Sequence, residues 1–199
     1  MNLNLTDKTA LVSGSTKGIG FAIATGLARE GARVIVNGRS EKAVAEAKEQ
    51  IDQTAPDARI EGFAGDLSTS AATETLLQRF PLVDILVNNL GIFEPKSFGD
   101  ITDEEWRRFF EVNVLSGVRL SRAYLPGMKE RNWGRIVFIS SESAINTPAE
   151  MVHYGVTKTG AACRVARSCR IVCRQSSHGE CGVTRSNTFR RCGGICGTA

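Results

Sequence analysis

The segment YGVTK places the phenol of Tyr154 and the ammonium of Lys158 four residues apart. On an α-helix that spacing sets both side chains on one face. An ammonium beside a phenol favours the phenolate, so such a pair makes a general acid/base usable near neutral pH. Tyr-x-x-x-Lys alone is common surface chemistry, and two further polar residues supply its context. Ser141 closes the apolar run IVFISS, thirteen residues before Tyr154, and its hydroxyl is suited to bond the oxygen of a carbonyl or an alcohol. The neighbouring Ser140 is the alternative, but strand alternation turns it to the other face. Asn113 lies further upstream in EVNVLSG.

A second chemical motif lies near the N-terminus: Ser13, Gly14, Ser15, Thr16, Lys17, Gly18, Ile19 and Gly20, reading SGSTKGIG. Glycine supplies unusual backbone angles and leaves room for a phosphate to approach the chain. The free N–H groups and dipole of a helix start then favour the anion. A glycine pattern alone is weak, but this one sits between an expected strand and an expected helix, the context of a dinucleotide site. The next strand ends in NGRS, without a carboxylate to bind the adenosine ribose hydroxyls of NAD. It offers Arg39, with Lys17 nearby, and both cations suit the 2′-phosphate of NADP. The expectation is NADP(H), with NAD as the alternative.

The elements that must position these residues alternate. KTALVSG, ARVIVNG, ARIEGFAGD, VDILVNN and GRIVFISS read as strands, the later ones nearly continuous apolar runs of the kind buried on both faces. Between them GIGFAIATGLAREG, SEKAVAEAKEQI and STSAATETLLQRF read as helices, with Ser40 as an N-cap and Gly31 as a stop. Thr102 and Glu105 form a capping-box pattern opening a helix expected to reach Lys129, with an interruption near Pro126. This order predicts right-handed βαβ units and an α/β, Rossmann-like, doubly wound parallel sheet.

Taken together, these motifs resemble the short-chain dehydrogenase/reductase family, whose glycine motif is TGxxxGxG; here Ser13 stands in place of the family's Thr. The resemblance covers nearly all of residues 6 to 160 and implies a Ser-Tyr-Lys-Asn tetrad. Carried over, Tyr154 exchanges the substrate proton and Ser141 polarises the substrate oxygen. Lys158 holds the nicotinamide ribose, and Asn113 supports a water linking Lys158 to solvent. Asp66 and Leu67 in GDLS are then expected to border the adenine. Asn88 to Gly91, reading NNLG, matches the family's NNAG beside the cofactor, with Leu90 narrowing the space. His153 is an acid/base by type, but the resemblance gives it no fixed role, and it reads as a substrate-pocket or surface residue. The implied activity is hydride transfer between nicotinamide and a carbonyl or secondary alcohol, such as a 3-oxoacyl thioester or a small ketone. The implied assembly is a homo-oligomer, tetramer or dimer.

The 199 residues suit one domain. Residues 1–160 form the expected dinucleotide-binding catalytic domain, and 161–199 an aberrant basic tail. All six cysteines lie at or beyond Cys163, and the tail holds seven Arg against one acid, Glu180. Since 7 − 1 = +6 and the whole chain carries +4, the body sums to −2. The cysteine gaps lack CxxC and give no zinc pattern. The family's next helix, strand and Pro-Gly turn do not follow Lys158. Shifting the tail's codons by one base restores sequences of that kind, so the expectation is a frame change near Ala162. The alternative function is an inactive cofactor- or nucleic-acid-binding protein whose arginines contact phosphate; the leading reading has no nucleic-acid partner. With neither a secretory signal nor an apolar run of membrane-spanning length, the expected compartment is the cytoplasm, with no membrane partner.

Overall fold

The computed structural model describes residues 3–161, so the tail from residue 162 onward lies outside the described residues. The apolar runs form strands β1 (Thr9–Val12), β2 (Arg33–Gly38), β3 (Ile60–Ala64), β4 (Ile85–Asn88) and β5 (Arg135–Phe138). They make one sheet in the order β3-β2-β1-β4-β5, every pair parallel. Helices α1 (Gly18–Arg29), α2 (Glu41–Thr54), α3 (Ser70–Arg79), α4 (Asp103–Phe110) and α5 (Ser116–Glu130) connect them. A last helix, α6, covers residues 152–161.

Strand alternation assigns the core to two faces. Ala10 and Val12 of β1, with Val34, Val36, Ile85 and Val87, pack against Ala24 and Ala28 of α1 and Ala47 and Ile51 of α2. Leu11, Ile35 and Leu86 point the other way, toward Leu76 of α3 and Leu120, Tyr124 and Met128 of α5. A strand covered on both sides has no polar face to show, which is why these segments are continuous apolar runs. The sheet is the doubly wound Rossmann-like arrangement expected.

Three helix starts are closed by their own side chains. Ser40 Oγ accepts from the Ala43 N–H and Thr69 Oγ1 from the Ala72 N–H. Thr102 and Glu105 form the full reciprocal box at the start of α4. Glu105 also binds Lys96, whose Nζ lies 2.6 and 2.8 Å from its two carboxylate oxygens. That ammonium, with the Thr102 N–H, holds the Glu105 carboxyl well below its ordinary 4.5, at about 2.

The expected break near Pro126 falls elsewhere. Pro126 sits inside α5, where its ring removes one hydrogen bond to the Arg122 carbonyl. The buried face of Leu120, Tyr124 and Met128 keeps that helix on the sheet. The interruption is instead a π-helical turn, Glu111–Leu115, between α4 and α5. Such a turn takes in an extra residue and is common at functional sites; this one carries Asn113.

Two outcomes follow. Leu86 is fully buried on a central strand, so Leu86→Ala lowers stability by about 2–5 kcal/mol, read as a lower urea midpoint with an unchanged slope. The Glu105 carboxyl titrates lower in the folded chain than in the unfolded one. Its stabilisation is therefore complete above about pH 4.5 and disappears as the pH falls toward 2. Glu105→Gln flattens the melting temperature against pH over that window; an unaltered slope means the Lys96–Glu105 contact contributes nothing.

Candidate active site

Strand order reverses between β1 and β4, because the chain leaves β1 toward β2 and returns across it to β4. In an open α/β sheet, ligands bind at such a switch point, beyond the carboxyl ends of the strands. The glycine loop between β1 and α1 lies there. Gly14 and Gly18 have φ of +61° and +59°, which side chains rarely adopt. At Gly18 a Cβ would meet nothing within 4 Å, whereas at Gly20 it would fall 2.4 Å from Asn89 Nδ2 and 2.5 Å from the Gly14 carbonyl. Gly20 is thus required by packing, and Gly18 by a backbone bend that opens outward.

The end of α1 facing this crevice fits a phosphate. Unlike α2, α3 and α4, α1 starts without a side-chain cap, at Lys17; its first turn also carries no acid. Its first N–H groups and positive dipole end are left for an anion. Two asparagines brace the loop. Asn37 Oδ1 accepts from the Gly14 N–H (3.0 Å), and Asn37 Nδ2 donates to the Phe63 and Gly65 carbonyls. Asn89 Nδ2 donates to the Ser13 and Gly14 carbonyls (3.0 and 2.9 Å). Ser13 Oγ accepts from the Asn89 and Leu90 N–H groups, and Ser15 Oγ donates to the Val12 carbonyl. Ser13 therefore supplies the hydroxyl that the family's Thr would.

On the other side of β4, α6 brings its chemistry to the same edge. Lys158 is buried, and its Nζ donates to the Ile139 carbonyl at 2.8 Å. Burial pushes its ammonium below the ordinary lysine range. Nζ stands 5.7 Å from the centre of the Tyr154 ring. A methyl built on Gly91 would fall 3.4 Å from Lys158 Nζ and 3.3 Å from Asn113 Oδ1, so Gly91, Asn113 and Lys158 converge around one point. The Asn113 amide grips Ile92 twice, accepting from its N–H (2.7 Å) and donating to its carbonyl (3.0 Å), and also donates to Thr157 Oγ1 (3.0 Å). Ser141 Oγ accepts from the Ser143 N–H; its own proton has no acceptor among the described residues.

The remaining residues divide. Arg39 and Lys17 are exposed, without an ion pair among the described residues. Thr16 abuts Gly38, where a Cβ would meet its methyl at 2.4 Å, so the Arg39 segment borders the loop. Ile19 is 65% exposed. Asp66 is exposed and its Oδ1 accepts from the Ser68 N–H and hydroxyl. Leu67 has its side chain in the core, which leaves its backbone as the part able to meet a ligand. Asn88 turns toward α5, donating to Ser121 Oγ, and Leu90 lies against Gly14. His153 is not a surface residue: it is buried against Phe109, ring centres 3.9 Å apart, and edge-on to Trp106. Dry aromatic surroundings lower its pKa and keep it neutral. Asn37, Asn89 and Thr157 lie within the quoted motifs NGRS, NNLG and YGVTK, but none was given a role of its own. Their signals were a polar residue ending an apolar strand, the second Asn of a pair, and a hydroxyl one turn after Tyr154.

Among the described residues, none of the helices is long and apolar enough to cross a membrane, and no cluster of metal-ligand side chains occurs. Residues 8–170 match the family model described as short chain dehydrogenase. The chain is 55% identical over 159 residues to the uncharacterized oxidoreductase YvaG of Bacillus subtilis, covering 80% of this chain and 60% of that protein. L-sorbose reductase of Gluconobacter frateurii, solved with NADPH and L-sorbose, superposes with a TM-score of 0.81 at 31% identity over 88% of this chain and 68% of that one. A 7α-hydroxysteroid dehydrogenase solved with NADH and 7-oxo glycochenodeoxycholic acid gives 0.78 at 31% identity, over 87% and 69%. The chain spans about 60% of the length of the curated relatives it matches. With the glycine loop, the Tyr154–Lys158 pair and these matches in agreement, the chain belongs to the short chain dehydrogenase family.

Proposed function

We propose that this chain is an NADP(H)-dependent oxidoreductase acting on a carbonyl compound or the corresponding secondary alcohol. The observation that carries this reading is the convergence of Gly91, Asn113 and Lys158 beside Tyr154, at the same sheet edge as an uncapped, glycine-opened helix start. A bound nicotinamide cofactor supplies the hydride. Tyr154 exchanges the proton with the substrate oxygen; its hydroxyl has no partner among the described residues. Ser141 donates its free O–H to the same oxygen. Lys158, held on the Ile139 carbonyl, presents its charge to the cofactor ribose and the Tyr154 ring. Asn113 fixes the loop after β4 and retains an Oδ1 lone pair for a water leading away from Lys158.

The choice of NADP(H) rests on Arg39 and Lys17, because the neighbours include one complexed with NADPH and one with NADH. The end of β2 carries no carboxylate of the kind that binds the adenosine ribose hydroxyls of NAD, and the exposed Arg39 and Lys17 support pairing with a 2′-phosphate instead. L-sorbose and 7-oxo glycochenodeoxycholic acid, bound in those two neighbours, are small molecules carrying carbonyl and alcohol groups, in line with the reaction type. Half-exposed Phe110 and Val156, on α4 and α6, suit the homo-oligomer that the family resemblance implies. The basic tail and the inactive alternative built on it lie outside the described residues. We propose the frame change near Ala162 as the tail's origin, and the nucleotide sequence around codon 162 tests it.

Tyr154→Phe keeps the ring and removes the proton. It abolishes NADPH-dependent carbonyl reduction while leaving the NADPH dissociation constant within about threefold; near wild-type turnover assigns the acid elsewhere. Arg39→Asp weakens NADPH by on the order of tenfold to a hundredfold, since it exchanges a charge-assisted contact for repulsion, and leaves NADH little changed. Equal losses for the two cofactors, measured by fluorescence titration, remove the ground for choosing NADP(H).

A further inference from the structure

The loop after β4, residues 89–98, displays a phenylalanine that the core does not use. Phe93 is 72% exposed, yet its ring stands edge-on to Tyr154, with centroids 6.1 Å apart and planes at 62°. A single exposed apolar side chain is ordinary. This one differs because the backbone on both sides of it is held. On one side, the Asn113 amide takes both the N–H and the carbonyl of Ile92. On the other, the Lys96 N–H donates to the Glu150 carbonyl at 2.7 Å, and the Lys96 ammonium is bound by Glu105. The loop is thereby tied to α4, to the π-turn and to the segment entering α6. Phe93 thus sits on a loop fixed at Ile92 and Lys96, beside the proposed proton donor, with its ring largely exposed among the described residues.

The neighbouring loop has a counterpart. Strands β4 and β5 are adjacent and parallel, so both deliver their following loops to the same sheet edge. After β5, Ile145 is 68% exposed, and its N–H is held on the Glu142 carbonyl at 2.8 Å, within the turn capped by Ser141. The loops after β4 and β5, at the same sheet edge as Tyr154 and Ser141, thus each expose a large apolar side chain among the described residues. A polyhydroxylated substrate placed against a phenyl face would leave hydroxyls desolvated without partners. An alkyl or aryl substituent would cover that face and gain from it.

We propose that Phe93 determines specificity. The site takes a carbonyl compound bearing an apolar, aryl or branched-alkyl, substituent, which lies against the Phe93 ring with Ile145 flanking it, in preference to a polyhydroxylated ketone. This inference rests on the reading of Tyr154 as the proton donor of a carbonyl reductase.

The test compares acetophenone with dihydroxyacetone on the full chain. Binding is read by saturation-transfer NMR in the presence of NADP+, and turnover separately with NADPH. The variants are Phe93→Ser and Phe93→Leu, with NADP+ affinity as the control for folding. The wild type binds acetophenone in preference. Phe93→Ser lowers the acetophenone-to-dihydroxyacetone affinity ratio by on the order of tenfold to a hundredfold, and Phe93→Leu restores most of it. An unchanged ratio in Phe93→Ser, no acetophenone binding by the wild type, or equal loss of both ketones would each overturn the inference. Phe93-dependent selective binding without turnover of either ketone sinks the reductase reading and leaves this one standing.

Discussion

Two asparagine side chains hold the crevice open by satisfying backbone groups that a glycine turn leaves unpaired. Buried peptide groups without partners are expensive, and the turn after β1 is too tight to pair its own. Asn37, at the end of β2, supplies an acceptor to Gly14 and donors to the carbonyls of Phe63, in β3, and Gly65, just after it. Asn89, just past β4, supplies donors to Ser13 and Gly14. The ends of four strands are thus cross-linked at one place. Because those bonds are internal, α1 needs no side-chain cap for its loop to be ordered, and its first N–H groups stay available. The absence of a Cβ at Gly20 follows from the same constraint, since a methyl there would displace Asn89 from its bonds.

The catalytic side is built on a similar principle with different parts. Asn113 reaches the site because one turn of the α4–α5 helix is widened to the π form. Its amide then closes three hydrogen bonds to two different segments, Ile92 after β4 and Thr157 on α6. Lys158 is anchored on Ile139 after β5. The loops leaving β4 and β5 are thus each fixed by a side chain from another element. Such an arrangement would keep the proposed proton donor, Tyr154, and its neighbours oriented without reorganisation. The buried neutral ring of His153, set against Phe109 and Trp106, packs the start of α6 onto α4 just before Tyr154. Its contribution is to where that helix begins.

Much of this was legible along the chain, for reasons of range. Helix starts at Ser40 and Thr102 depend on hydrogen bonds three residues long, so their residue types announce them. Strands buried on both faces must be apolar throughout, which marked β1, β2 and β4. The Tyr154–Lys158 spacing and the glycine loop are local patterns whose chemistry depends on a few neighbouring residues. The π-turn was not legible. Pro126 is a visible breaker, but the surrounding apolar face outweighs it, whereas the extra residue near Asn113 leaves no trace in residue type. His153 also misled, because a titratable ring reads as polar until its aromatic neighbours, more than forty positions away, are known.

Residue order alone determined the alternation of strand and helix, the glycine-opened start of α1 and the four-residue spacing of Tyr154 and Lys158, because each depends on periodicity or on contacts within one turn. Tertiary structure decided what those groups do together. It placed Asn37 and Asn89 on the loop from 23 and 76 residues away, and it carried Asn113 to Thr157 across 44. It also set the Phe93 ring against Tyr154 and tied its loop down on both sides. Contacts of that range depend on strand order and on how helices pack against both faces of the sheet, and neither is written in any single stretch of the chain.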